Sequence, residues 1–575
     1  MNPPGRSEMP NPQPAGRDAQ CGPVKAPLPI PAIWTTGSTA VIKTGTWRAA
    51  LAVHVRAPAP CHVACPVNGD IAEWIGQARA RDFAAAWQTL SRHNPFPAVI
   101  GRICHHPCES ACNRASHDEP LSICKLERHV GDLALERGWA YPAAEALRSE
   151  RIAVVGGGPS GLSAAYQLRR RGYAVTLFEA QAELGGLMRY GIPAYRLARD
   201  VLDGEIARIV ALGVEVRCGQ PMATPHALAD LRARFDAVYL AFGAVRQKRL
   251  PQLDYTRPWA VDGADYLAQA SLGTPPVLGA RLVVVGGGSA ALDVARSACR
   301  AGHAVTILAL EAEGEMPAQR EEVVEALEEG IVLVDAAMLR GVAETADVLR
   351  LDCTRVQFVR GAQRGQFTAV PVEGSGFTLE ADAIVSAIGQ DPDLSALAGA
   401  VECRDTLLHT DAHGATSAAG VWAGGDLTST ARFVVEAIGM GKRAALAIHR
   451  QLCVLPISNA AAPDVLPPVG LKSINLHYHP AQARVADARR SVPDRLLHGG
   501  EVQLGLAIEQ ALSEASRCFS CGTCTQCDNC ITYCPDLAVQ RAGDGYTVLT
   551  DYCKGCGLCV KECPTGSMIM LEELR

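Results

Sequence analysis

The chain has 575 residues, 48% of them hydrophobic and 20% charged, with a formal net charge of −6. That length exceeds one hydrophobic core and predicts several domains, while the near-balanced charge gives no reason to expect nucleic acid or an anionic membrane surface as partner. No apolar run reaches the ~18 residues of a membrane span, and the polar, proline-rich start lacks the apolar core of a secretory signal.

Most of the 22 cysteines fall into two groups at short spacings. In a chain without a signal peptide, this argues for metal or cluster ligation in a reducing, cytoplasmic setting, not for disulfides. The first 50 residues read as an arm without periodicity. Within it, Lys43, Thr44, Gly45, Trp47 and Arg48 form K-T-G-x-W-R. This element resembles the N-terminal segment of the ferredoxin-type subunit of 2-oxoacid:ferredoxin oxidoreductases, and the resemblance implies a shared kind of partner.

The first cysteine group follows: Cys61 and Cys65, then Cys104, Cys108 and Cys112, then Cys124. Residues 71–79 and 83–91 between them look helical, which predicts a small all-α domain. The C-x3-C spacings place successive thiolates on one side of a turn, as iron–sulfur ligation requires; buried structural thiols are the alternative. CHVACP, NPFPAVIGRIC and PCESAC resemble the N-terminal domain of the glutamate synthase small-subunit family, which also includes one arm of dihydropyrimidine dehydrogenase. The resemblance implies that Cys65, Cys104 and Cys108, with Glu127 as a non-cysteine fourth ligand, hold one 4Fe–4S cluster. Cys61 and Cys112 match half of a second, because Val53 and Arg56 stand where that family has two further cysteines. The second cluster would need Cys124 or a non-cysteine ligand.

Residues 151–179 read as strand, glycine-rich turn, helix and second strand. Gly156, Gly158, Pro159, Ser160 and Gly161 supply G-x-G-x-x-G at the helix start, and Glu179 closes the second strand, where an acid takes ribose hydroxyls. We expect FAD here. Downstream, Gly186, Leu187 and Arg189 lie in GGLMRYGIP, a near match to that family's signature, with Arg189 as a cation for the pyrophosphate or isoalloxazine. Gly243 ends a strand that returns under the flavin; Gly425 and Asp426 supply the last flavin element. A second fold begins at Arg281, where Gly286, Gly288, Ser289, Ala290 and Ala291 form G-x-G-x-x-A and Gly389 closes a later turn. Two such folds imply two ligands, a flavin and a nicotinamide. NADPH-using relatives carry Tyr-Arg-Arg at the end of the next strand; this chain has Ala309, Leu310 and Glu311. A carboxylate there repels a 2′-phosphate, so NAD is expected over NADP, unless Arg320 supplies the missing cation.

The C-terminal group is C-x2-C-x2-C-x3-C-P twice over, the bacterial two-cluster ferredoxin pattern, in which the fourth cysteine of each run serves the other cluster. One cluster would use Cys524, Cys527, Cys530 and Cys563, the other Cys553, Cys556, Cys559 and Cys534. Cys518 and Cys521 are left over, either as structural thiols or as ligands that join the incomplete N-terminal cluster.

The expected fold is α/β: two Rossmann-like domains, an all-α iron–sulfur domain before them and an α+β ferredoxin domain after them. The boundaries expected are an arm (1–50), the helical domain (51–145), FAD domain (146–265 and 382–450) around an inserted NAD domain (266–381), a linker (451–510) and the ferredoxin domain (511–575). Nicotinamides move hydride and clusters move single electrons, so a flavin must stand between them. No Ser-His-Asp set or carboxylate pair announces chemistry on an organic substrate. The sequence therefore reads as the electron-transfer subunit of a larger complex. Its partner is expected to be a 2-oxoacid oxidoreductase such as phenylglyoxylate dehydrogenase, or ferredoxin. The alternatives are an NADPH-oxidising glutamate synthase small subunit, and a non-catalytic electron-storage scaffold.

Overall fold

The computed structural model describes residues 43–573, except 145, 223, 225, 362–366, 398 and 454–465. Most of the expected arm, with Pro456 and Pro463 of the expected linker, therefore lies outside the described residues. No helix among those described is long and apolar enough to cross a membrane.

The flavin fold is a five-stranded parallel sheet in the order Val421–Ala423, Ala237–Leu240, Arg151–Val155, Ala174–Phe178, Glu215–Arg217. Ile152 to Val155 are all buried, as expected for a parallel strand covered on both faces. The helix Pro159–Arg169 covers one face and meets the helix Val434–Leu452. Contact between them is close because Gly441 has no side chain: a Cβ there would lie 2.2 Å from the Ser160 carbonyl oxygen.

The second nucleotide fold is also a five-stranded parallel sheet, ordered Val332–Val334, Ala304–Leu308, Arg281–Val285, Ala383–Ser386, Ala260–Asp262. It is wider than the expected 266–381. Ala383–Ser386, read in the sequence as leading back into the flavin fold, instead pairs with Arg281–Val285. Two forces place it there: Ile384 and Val385 are fully buried, and the Asp382 carboxylate accepts from the Arg281 amide at 2.8 Å while pairing with its guanidinium at 2.8 Å. The chain turns back later, where Gln390–Asp391 pairs with Arg246–Gln247.

Six short helices build the N-terminal domain: Pro60–Ala64, Ile71–Arg79, Phe83–Ser91, Pro97–Ile103, Pro107–Ser110 and Ile123–Glu136. Their core, with Trp74, Trp87, Phe96 and Val99, runs without interruption into that of the flavin fold. Glu205 of the flavin fold accepts from the amides of Ala98 and Val99 at 3.0 and 3.1 Å, satisfying the open end of Pro97–Ile103. Burial pushes its carboxyl up to about 8, against the pull of those two amides.

Both chain ends meet in the ferredoxin domain. Ala50–His54 pairs antiparallel with Met568–Glu572, so the helical domain begins after the expected residue 51. Arg48 makes a two-point ion pair with Glu573 (2.7 and 2.9 Å), the Gly45 amide donates to the Asp551 carbonyl at 2.8 Å, and Thr44 donates to the Tyr552 carbonyl.

The expected linker is a tied strap over its described residues. Arg484 pairs with Glu109 at 2.6 Å, Lys125 with Asp487 at 3.1 Å, Arg128 with Glu501 at 2.8 Å, and Arg495 with Glu328 of the second nucleotide fold at 2.7 Å. The strap leads into the helix Ile508–Ser516 and to Arg517, which is fully buried. The Arg517 guanidinium meets Glu514 at 2.7 Å, Asp118 at 3.2 Å and the Glu119 carbonyl at 2.7 Å. Glu514, equally buried, also accepts from the amides of Ser122 (2.8 Å) and Val485 (2.9 Å). Removing one partner of such a cluster strands a charge in the interior, at a cost of about 3–5 kcal/mol. Arg517→Ala should lower the first thermal unfolding transition accordingly, and an unchanged melting curve would show that the cluster does not hold the strap.

Candidate functional site

The flavin-side loop is built for a diphosphate. Gly156 has φ +109°, and a Cβ there would lie 2.3 Å from the Ala241 carbonyl oxygen; one on Gly161 would lie 1.9 Å from that of Gly156. The helix Pro159–Arg169 begins at Gly158 without a side-chain cap, which leaves its first amides to an anion. Glu179 is buried, its two oxygens held by the amides of Gly157 (2.6 Å) and Gln181 (2.8 Å). Gly158, Pro159, Ser160, Glu179, Gly186, Leu187, Gly243, Gly425 and Asp426 all line one cleft of about 540 Å³. Burial raises the Asp426 carboxyl above its usual range, with Arg432 opposing. Arg432, Phe433 and Phe242 also line the cleft. Arg432 has no motif to mark it in the sequence.

Arg189 does not do what the sequence suggested. Its guanidinium donates to the Leu184 carbonyl at 2.6 Å and pairs with Asp203 and, at 3.5 Å, Glu183. Three nearby oxygens hold it away from the cleft, where its neighbour Leu187 stands.

The second loop opens into the same cleft through Ser289, Ala290 and Gly389. The helix Ser289–Arg300 also starts without a side-chain cap, at Gly288, and the buried Ser289 hydroxyl has no partner within the protein, so a ligand oxygen is its natural complement. A Cβ on Gly286 would lie 2.5 Å from the Ala387 carbonyl oxygen. Ala291 is fully buried in the sheet–helix contact. Glu311 stands to Gly287 as Glu179 does to Gly157: a Cβ on Gly287 would lie 2.5 Å from Glu311 Oε2, and one on Gly157 would lie 2.9 Å from Glu179 Oε2. The carboxylate thus stands in the second fold where Glu179 stands in the first. Arg320 is spent on Glu313 at 2.7 Å, and 63% of its side chain is exposed.

Cys65, Cys104, Cys108, Cys124 and Glu127 line one enclosed cavity. Burial pushes the Glu127 carboxyl up to about 7, against a 2.7 Å hydrogen bond from Asn94. Cys124 therefore stands with the first ligand set and not, as one reading of the sequence required, with Cys61 and Cys112. Those two line a second cavity with Cys518 and Cys521. In the ferredoxin domain Cys534, Cys553, Cys556 and Cys559 share a cavity, and Cys530 stands beside Cys524, Cys527 and Cys563. The fourth cysteine of each run thus lies with the first three of the other. Sulfur donors grouped in this way suit the soft iron of 4Fe–4S clusters.

The dinucleotide cleft and the inner cysteine cavity share a wall. Ile103 and His105 face the cleft while Cys104 between them faces the cavity; Val434 and Val435 divide likewise. On the cleft side of this wall the rings of His105 and Phe433 meet at a tilt with centroids 4.0 Å apart, and Gln319 of the second nucleotide fold donates to the Cys104 carbonyl at 3.0 Å.

Known proteins match in the same three blocks. The family model for pyridine nucleotide-disulphide oxidoreductases matches residues 150–441, that for dihydropyrimidine dehydrogenase domain II with a 4Fe–4S cluster matches 54–139, and that for a 4Fe–4S binding domain matches 546–568. The NADP(+)-dependent formate dehydrogenase subunit beta of Moorella thermoacetica is 35% identical over 500 residues, 80% of this chain and 70% of that protein. The NADPH-Fe(3+) oxidoreductase subunit beta of Geobacter sulfurreducens is 33% identical over 80% of this chain and 75% of its own. The NAD-dependent dihydropyrimidine dehydrogenase subunit PreT of Escherichia coli is 32% identical over 68% of this chain and 91% of its own. Gly161→Ala should yield protein that loses most of its flavin, measured as flavin absorbance per chain after purification; full retention would mean the loop is not the diphosphate cradle.

Proposed function

The chain belongs to the pyridine nucleotide-disulphide oxidoreductase family, in the glutamate synthase small-subunit-like branch that adds iron–sulfur domains, and from that premise we propose that it is the NAD-linked electron-transfer subunit of a larger enzyme. Membership makes it an NAD(P)-dependent flavin and iron–sulfur oxidoreductase with FAD and with clusters at both ends of the chain. The proposal adds the nucleotide, the direction and the partner: electrons withdrawn from a 2-oxoacid, with phenylglyoxylate as the specific case, reach this subunit and, two with one proton, convert NAD+ to NADH.

The observation that carries the reading is the shared wall at Cys104. A hydride site and a one-electron site one residue apart make sense only as a junction. When bound, FAD supplies the exchange between hydride and single electrons. The chain's own residues prepare that exchange. The Gly156–Gly161 turn and its helix amides hold one diphosphate, and Ser289 with the amides of its helix holds the other. Ile103, His105, Phe433 and Val434 keep water out of the wall.

Glu311 favours NAD. Its carboxylate accepts from ribose hydroxyls and repels a 2′-phosphate, and Arg320, committed to Glu313, offers no compensating cation. Support for a 2-oxoacid partner is the K-T-G-x-W-R element. In this chain Thr44, Gly45 and Arg48 clasp the chain's own ferredoxin domain, which leaves Trp47, 71% exposed, as its outward contact. Relatives named as beta subunits of formate dehydrogenase and of an Fe(3+) oxidoreductase support a multi-subunit setting and an electron donor of another kind.

Steady-state reduction of a viologen dye should give kcat/KM at least about tenfold higher with NADH than with NADPH, and Glu311→Gln should narrow that ratio. A preference for NADPH in the parent protein would favour the glutamate synthase-like reading, and no turnover with either would favour a scaffold. For the partner, the chain purified from its own cells should bring a thiamine-diphosphate enzyme that reduces NAD+ with phenylglyoxylate; purification without such an enzyme would overturn that part.

A further inference from the structure

Cys61, Cys112, Cys518 and Cys521 converge on one cavity although two of them lie more than 400 residues from the other pair in sequence. The remaining lining is apolar, including Ile75, Leu121 and Phe519, apart from Asn113 and Arg114. We propose that these four thiolates hold a fourth 4Fe–4S cluster, which neither end of the chain can complete alone.

Three independent observations point to a cluster here. The first is how the two N-terminal C-x3-C pairs divide. Cys61 lies in one short helix with Cys65 at its end, Cys108 lies in another with Cys112 just past its end, and each pair sends one thiol to the inner cavity and one to this cavity. The two sites are therefore neighbours bridged by both pairs, and one of them already has the donor set of a cluster.

The second is local backbone geometry. At Cys524, a ligand by the ferredoxin pattern, the amide two residues on, at Gln526, donates to the sulfur at 3.4 Å, and Gln526 has φ +54°. At Cys104 of the inner set the amide of His106 does the same at 3.4 Å, with φ +53°. Cys518 repeats the device: the Ser520 amide donates to its sulfur at 3.4 Å, and Ser520 has φ +52°. Side chains rarely adopt that conformation, and a buried structural thiol has no need of it. An amide aimed at sulfur is what a charged cluster requires of its surroundings. Asn113 adds a second donor, 3.4 Å from the Cys521 sulfur.

The third is what happened to the positions of the two absent upstream cysteines. Val53 lies in the strand paired with Met568–Glu572, opposite Ile569, and Arg56 pairs with Glu73. The strand that holds Val53 is committed to the ferredoxin domain and Arg56 to the helical domain, and the ferredoxin end of the chain returns Cys518 and Cys521. With Cys524, Cys527 and Cys530 these make five cysteines at intervals of three. Cys521 and Cys524 are at most about 11 Å apart along the backbone, which seats the new site between the ferredoxin clusters and the inner set.

The test is metal content with spectroscopy on the full chain. Iron and acid-labile sulfide should each approach about 16 per chain, four 4Fe–4S groups. Cys518→Ser with Cys521→Ser should remove about four of each and abolish one set of reduced-cluster EPR signals, with FAD content unchanged. Cys61→Ser with Cys112→Ser should remove the same four, and the quadruple variant no more. About 12 iron in the parent, a zinc ion lost from the double variant, or additive losses from the two pairs would each overturn the proposal. Should the double variants fail to accumulate, the parent decides alone: four distinct reduced 4Fe–4S signals without zinc support the site, and three signals refute it.

Discussion

A guanidinium with no access to water survives only if its nitrogens find acceptors, and Arg517 meets that condition at all three with Glu514, Asp118 and carbonyl oxygens from two segments. The claimants come from three stretches of chain. Asp118 and Glu119 belong to the turn before the last N-terminal helix; Glu514 lies one turn upstream; the Gln482 carbonyl belongs to the strap. Arg114 closes the set by donating to the Arg517 carbonyl and pairing with Asp118 at 2.6 Å. An arrangement with this much desolvated charge contributes specificity of position more than net stability. The position it specifies is that of the very next residue, Cys518.

From that point the molecule's organisation follows. The strap has to lie along the helical domain for its end to arrive there, and the ferredoxin domain begins within three residues of Cys521. The inner cysteine set is fused through one core to the flavin fold, and the flavin fold shares its cleft with the second nucleotide fold. Among the described residues, packed elements thus join the cysteine sets to the shared nucleotide cleft.

Much of this arrangement could be read from residue order because its signals are local. Gly156–Gly161, Gly286–Ala291 and the two ferredoxin runs are each short patterns whose residues lie close together in sequence, and the two glycine patterns fall at strand-to-helix turns. The parts that escaped depend on partners far away in the chain. Nothing around Arg189 announces that Leu184, Asp203 and Glu183 will claim it. Ala383–Ser386 is a buried apolar run that suits either sheet equally, and only Asp382 meeting Arg281 decides between them. The strap has no period because ion pairs to three different elements hold it, with little amphipathic face. The ligand pairs Cys61–Cys112 and Cys518–Cys521 are each incomplete in their own segment, so local spacing left both unexplained.

The pairing of Ala50–His54 with Met568–Glu572 also sets a timetable. During synthesis the first strand leaves the ribosome more than 500 residues before its partner, a wait of roughly half a minute to two minutes at about 5–20 residues per second. Through that interval it presents an unpaired edge, the kind of surface that recruits wrong partners. The helical domain beside it holds two of its thiols in an open half-site. The nascent chain therefore depends on whatever shields that edge, and its maturation by iron and sulfide cannot finish before residues 518–563 have emerged.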